Sequence, residues 1–285
     1  MLAMRRFGWI TYKHLAQAGR IGERAGENMV VALRDAGFLR VLKTGASIGL
    51  GKRPNLVSLS DAGNTVLESC EPDLLADWPG FVLAKRDVKW GATTQHKLDL
   101  ITAMIAAERH LPAGMFCDIR VEFRGDPLFA HYATTSRLPN GDPLRFDGVL
   151  TLGQGGETAA YGIELERTAK PVIATKASTE GRSFEAKLLR NWLYIRSGNV
   201  ADRYAVTSPL LTLLVIAESD AMIERMINRV RWEAFQPIEI GGGDALGPAD
   251  LIYFTTLVQA QADFYGPIWR VHDAAAPLSF LGQQS

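Results

Sequence analysis

The sequence has very little cysteine. Cys70 and Cys117 are far apart and in no C-x-x-C spacing, which argues against a thiolate zinc site and a disulfide framework and fits a reducing, cytoplasmic setting. It also lacks a surplus of either charge, because 31 Lys plus Arg balance 31 Asp plus Glu. No global field draws the chain to nucleic acid, so a DNA surface has to come from local clustering. No apolar run is long enough to span a bilayer without charge, and the first residues, MLAMRRFGWITYK, hold no sustained apolar stretch, so membrane insertion is not expected. What is present is core-forming material: 47% of 285 residues are hydrophobic, enough for one large or two ordinary packed domains.

The N-terminal part, 1–70, has the pattern of a winged helix-turn-helix. Thr11 is placed to cap a short helix through Ala18, Gly19 breaks it, and Glu23 to Ala36 continues as a longer helix with Met29, Val30, Leu33 and Ala36 along one side. FLRVL and NLVSL form two short strands around the loop TGASIGLGKRP, and SDAGNTVLES opens a further helix capped by Ser60 or Asp61. The first helix of such a domain is missing or very short, since only Met1 to Gly8 is available for it. Arg20, Arg24 and Arg34 lie around the expected recognition helix, and Lys43, Lys52 and Arg53 lie in the wing. These positions suit a helix in the major groove with the wing on phosphates. A wing used only for protein contacts is the alternative.

Periodicity weakens over 71–92, where Pro72, Pro79 and Gly91 mark a linker. The second domain, 93–285, opens with the amphipathic helix HKLDLITAMIAAERH, followed by the strand CDIRVEF and a polar loop. Further on, a helix capped by Ser178 runs to about Ser197, RYAVT and PLLTLLVIA form strands, and SDAMIERMINRVRWEAF forms another helix. After Pro237 only a terminal strand and loops are expected.

Between these elements lies LRFDGVLTLGQGGETAAYGIELERTAK, residues 144 to 170, which has the form of a hairpin. Phe146 to Leu152 alternates, GQGG turns, and Ala159 to Arg167 resumes as a second strand. Strand side chains alternate faces, so Glu164 and Glu166 point the same way, and register can bring Asp147 beside them. Like charges so close raise each other's pKa unless a hard cation is shared, which makes Asp147, Glu164 and Glu166 an expected oxygen-ligand site for Mg²⁺ or Mn²⁺. Lone acids on a strand are ordinarily solvated surface groups; the constellation is what points to chemistry. Lys170 completes the set only if the chain turns at Thr168 and Ala169, because a strand continuing at ~3.3 Å per residue would carry it ~10 Å away. Lys187 is the second candidate for that role.

An acid on one strand followed by E-x-E on the next resembles the restriction-endonuclease-like, PD-(D/E)xK, fold, with Phe146 in the usual proline place and Glu166 in the usual lysine place. The spelling IELERTAK is similar to that of MobC-type conjugative relaxases and replication-relaxation proteins, which place a winged helix before a nuclease-like domain. The resemblance implies an α/β (α+β) chain in which a winged helix precedes a mixed sheet flanked by helices in an αβββαβ order. It also implies metal-dependent, site-specific nicking of double-stranded DNA in plasmid mobilisation, alongside other mobilisation or replication proteins. Asp147 and Glu164 would be the metal ligands, Glu166 a ligand or base, and Lys170 the cation beside the scissile phosphate. No two of the five histidines are one residue apart, so the His-x-His metal cluster of ordinary tyrosine relaxases is not available. A catalytically idle DNA-binding accessory or regulator of a mobile element is the alternative function.

Overall fold

The computed structural model describes residues 1–42, 44, 54–76, 83–84, 88, 90–121, 144, 146–167, 172–173, 183–241 and 244–281. The chain divides into two compact units, Met1–Ile105 and Ala106–Ser285. The sequence places its linker at 71–92, whereas the division of the folded chain falls inside a long helix. That helix contributes to the N-terminal unit through Leu98, which packs with Leu42 and Leu56, and through Thr102, whose hydroxyl lies 2.9 Å from His14 Nε2.

The N-terminal unit runs α1 (Leu2–Phe7), β1 (Ile10–Thr11), α2 (Tyr12–Ala18), α3 (Glu23–Asp35), β2 (Leu39–Leu42), β3 (Leu56–Leu59), α4 (Asp61–Cys70), α5 (Pro72–Leu75) and most of α6 (Ala92–Arg109). Its sheet has the order β1-β3-β2 with antiparallel pairs such as Ile10↔Val57 and Leu39↔Leu59. The expected caps are in place: the Thr11 hydroxyl accepts from the His14 N–H, and the Ser60 hydroxyl accepts from the Gly63 N–H at 3.0 Å. Helices α2 and α3 approach closely at Gly26, where a Cβ would lie 2.8 Å from that of Ala16. A side chain there would force the two helices to shift apart. The first helix, expected to be missing or very short, has six residues.

The C-terminal unit continues with β4 (Phe116–Val121), β5 (Gly148–Gln154), β6 (Glu157–Glu166), α7 (Phe184–Arg196), α8 (Val200–Tyr204), β7 (Leu211–Ala217), α9 (Asp220–Arg229), β8 (Ile238–Gly241), β9 (Asp244–Leu246), α10 (Pro248–Leu251), β10 (Ile252–Thr256) and α11 (Leu257–Ala262). Five strands form one mixed sheet in the order β10-β7-β6-β5-β4. The pairs β4–β5 and β5–β6 are antiparallel, and β6–β7 and β7–β10 are parallel. Strand β7 is buried along its whole length, as its continuous apolar spelling requires in a covered central strand. The hairpin turns on Gly155 and Gly156, whose φ values of 62° and 93° demand glycine between the paired residues Gln154 and Glu157. One face of the sheet packs against α7 through Phe184, Leu188, Trp192 and Ile195. On the other, Phe280 lies edge-on to Tyr161 with ring centroids 5.2 Å apart and packs with Phe264 and Trp269.

Three local expectations are corrected. RYAVT is not a strand: Val200 and Tyr204 are both buried at a four-residue spacing, which favours the helix α8, and Ala205 then leaves it at φ 53°. Helix α7 starts at Phe184 with Ser183 as its cap, the hydroxyl accepting from the Ala186 N–H at 3.1 Å, while Ser178 lies outside the described residues. The first strand of the central hairpin begins at Gly148 rather than Phe146, because Phe146 folds over Gly162 instead of extending. After Pro237 the chain holds more than was expected, including β10, which adds a fifth strand parallel to β7. No helix among the described residues is long and apolar enough to cross a membrane.

Candidate active site

The hairpin brings the expected acids together. Glu164 and Glu166 sit on β6, two residues apart, and each is only 2% exposed. Asp147 stands one residue beyond the last β5–β6 pair, Gly148↔Ile163, and its Oδ2 accepts the Leu165 N–H at 2.8 Å. That bond fastens Asp147 to the backbone between the two glutamates. The strand alternation is confirmed by a single cation: Lys187 Nζ lies 2.7 Å from Glu164 Oε2 and 2.6 Å from Glu166 Oε1. One ammonium can reach both carboxylates only if they share a face.

Lys187 comes from α7, one turn before Asn191, whose Nδ2 donates to Glu164 Oε1 at 3.1 Å. The helix is held firmly. Its apolar residues pack on the sheet, Trp192 Nε1 donates to the Gln236 carbonyl at 2.8 Å, and Glu185 takes three bonds from Arg231 at 2.6 to 2.9 Å. The Arg231 guanidinium holds the Glu185 carboxyl below the usual carboxylate range, against a burial effect that acts the other way. Glu185 is therefore an anchor and not part of the acid cluster.

Electrostatics set the cluster apart. Burial is the main cause that pushes the Glu164 carboxyl up to about 8; Lys187 opposes the shift, while Asp147 and Glu166 add to it. For Lys187, burial favours the neutral amine but is outweighed by Glu164, Asp147 and Glu166, which together raise it well above its ordinary value. The neighbouring carboxylates push both groups the same way, adding to the burial effect on Glu164 and overcoming it on Lys187.

All candidate donors for a divalent cation are hard carboxylate oxygens, and among the described residues Glu164 Oε1 is met by Asn191 and Oε2 by Lys187, where a carboxylate oxygen's lone pairs allow two partners. Among the described residues, however, no three His, Cys, Asp or Glu side chains are already gathered as a metal-holding group. The physical reason is visible: Lys187 bridges the two glutamates, and the Leu165 N–H holds Asp147. Lys170, the first choice for the basic role, lies outside the described residues.

In the N-terminal unit, α3 is open to solvent, with Gly26 its only buried residue. Arg24 is on it, and Arg20 precedes it with φ 52°. Arg34 is paired to Asp35 at 2.7 Å. Three acids, Glu23, Glu27 and Asp35, accompany two arginines on the helix, so it is not itself basic. Lys43, Lys52 and Arg53 lie outside the described residues.

Asn191 was not anticipated from the sequence. Its signal was present: Lys187 and Asn191 are polar residues four apart, set among Leu188, Trp192 and Ile195. No family model, curated protein or solved structure gives a significant match to the chain.

Proposed function

We propose that this protein is a DNA-binding, divalent-metal-dependent endonuclease that nicks duplex DNA, in the manner of a mobilisation relaxase. The observation that carries the reading is the uncompensated charge of the acid site. Asp147 is bonded to the backbone between Glu164 and Glu166, which share Lys187 at 2.7 and 2.6 Å, so three carboxylates stand against one ammonium and one Mg²⁺ or Mn²⁺ would offset the excess. Asp147 and Glu164 would hold the ion, which when bound neutralises charge on the phosphate and activates a water. Glu166 keeps Lys187 at the site, and the Lys187 ammonium is then available to the developing charge of the scissile phosphate. In this reading Lys187 takes the role for which Lys170 was the first expectation.

Two arrangements support the assignment. The C-terminal order β4-β5-β6-α7-α8-β7, with an antiparallel meander followed by a parallel fourth strand, is the strand arrangement expected of a restriction-endonuclease-like core. The N-terminal order αβααββα, with an exposed third helix after a tight Gly26 approach, agrees with a winged helix that presents α3 to a groove. A catalytically idle DNA-binding accessory is the second reading, favoured by one fact: Lys187 already bridges both glutamates.

Supercoiled DNA incubated with the protein and Mn²⁺ separates the two. The endonuclease reading predicts open circles that vanish with chelator and with Asp147→Ala or Glu164→Ala, because ligands acting as one unit are each indispensable. Lys187→Ala should slow nicking severely and Lys170→Ala should not. DNA that stays supercoiled, or nicking at the wild-type rate by all these variants, leaves the accessory reading.

A further inference from the structure

We propose that Asn191 is a positioning residue of the acid site, an amide that fixes which oxygen of Glu164 is offered to a divalent cation. The inference rests on the cation reading above. Glu164 has two oxygens and two different partners. Oε1 receives the Asn191 amide at 3.1 Å and Oε2 faces the Lys187 ammonium at 2.7 Å, and both partners stand on α7 one turn apart. The last torsion of a glutamate is broad, so one contact would leave the carboxylate free to rotate. Two contacts from one packed helix fix its plane.

The surroundings of Asn191 argue that the amide serves Glu164. Asn191 is 1% exposed, and its neighbours Leu188, Trp192 and Ile195 belong to the apolar core. Burying an amide is costly unless it is bonded, and an apolar side chain on that face would pack without the cost. An amide also adds a donor without adding charge. A second lysine in its place would reduce the charge deficit that draws a cation, and a carboxylate would compete with Glu164. Asn191 therefore orients the acid and leaves its charge available.

The test is titration of Mn²⁺ into the full-length, DNA-free protein, with melting in chelator measured in parallel. Asn191→Leu and the smaller Asn191→Ala should each bind Mn²⁺ about 10- to 100-fold more weakly, the range expected when a group orienting a metal ligand is lost. Leu188→Ala serves as the control, since it opens a cavity in the same helix; it should lower the melting temperature and leave Mn²⁺ affinity unchanged. If Asn191→Leu does not fold, Asn191→Ala decides alone. Wild-type affinity in the folded Asn191 variants overturns the positioning role while the cation reading stands. Absence of Mn²⁺ binding by the wild-type protein overturns both.

Discussion

His14 in the N-terminal unit and Glu164 in the C-terminal unit are both almost sealed from water, at 6% and 2% exposure, yet their surroundings differ in kind. His14 is met by hydroxyls: Thr11 Oγ1 lies 3.2 Å from Nδ1 and Thr102 Oγ1 lies 2.9 Å from Nε2. Burial pulls its pKa down to about 4, so it is neutral and bonded at ordinary pH. Glu164 is met by the charge of Lys187 and the amide of Asn191, with the acids Asp147 and Glu166 nearby. A buried group that only holds a fold together settles into its neutral form among neutral partners. Glu164 is instead pulled by burial and by neighbouring carboxylates against the one ammonium beside it, an environment of opposing charges that His14 does not have.

The largest way to break the contrast is Lys187→Met. Removing one partner from a buried ion pair leaves uncompensated charge, so denaturant unfolding of the C-terminal unit in chelator near pH 8 should show a loss on the order of 3–5 kcal/mol. The loss should shrink at pH 5. Lys187→Met as stable as wild type at pH 8 would mean that the ammonium balances nothing.

The pH dependence sharpens the comparison, because the two units should respond in opposite directions. Glu164 is raised from 4.5 to about 8, so the folded C-terminal unit holds the extra proton; its contribution is full below pH 4.5 and is lost as pH rises toward 8. His14 is lowered from 6.5 to about 4, so its contribution to the N-terminal unit is present above pH 6.5 and is lost as pH falls toward 4. Each shift corresponds to a few kcal/mol, at ~1.4 kcal/mol per pH unit. Hydrogen exchange read separately for the two units across pH 4 to 9 should show the N-terminal amides loosening in acid and the C-terminal strands loosening in base. Glu164→Gln should abolish the second trend without touching the first.

Smaller effects belong to the exposed N-terminal helix. Gly26→Ala drives a methyl toward Ala16 and should cost about 1–3 kcal/mol by overpacking, with weaker DNA binding as α3 shifts. Arg24→Ala should leave stability unchanged and lower the slope of log affinity against log salt by about one, if that arginine meets a phosphate. An unchanged slope, in Arg24→Ala and in Lys52→Ala with Arg53→Ala, would make this unit a protein-binding module.

Elements defined by local rules were legible in the sequence. Thr11 and Ser60 as caps, Gly155 and Gly156 as the turn, and the apolar run of β7 each follow from a few neighbouring residues, and all are where those rules put them. The pairing of Glu164 with Glu166 on one face was legible for the same reason. What was not legible depends on contacts distant in the chain. RYAVT spells a strand by composition, but the core takes Val200 and Tyr204 at helical spacing. Lys187 stood only second because nothing local says that α7 lies over β6, and Asn191 gave no sign apart from its place beside an apolar stripe. Proline and glycine mark 71–92 locally as a linker, whereas the ties of Leu98 and Thr102 in α6 run to residues far upstream that no local pattern signals.

The proposal that Asp147, Glu164 and Glu166 hold a divalent cation is tested by calorimetric titration of Mn²⁺ near pH 7, repeated in buffers of different ionisation enthalpy, which measures both the binding and the protons it releases. A cation site of this kind should take one ion per chain, release about one proton as the cation displaces it from Glu164, and lose binding in Asp147→Ala. No binding, or binding that releases no proton and survives Asp147→Ala, rules the site out.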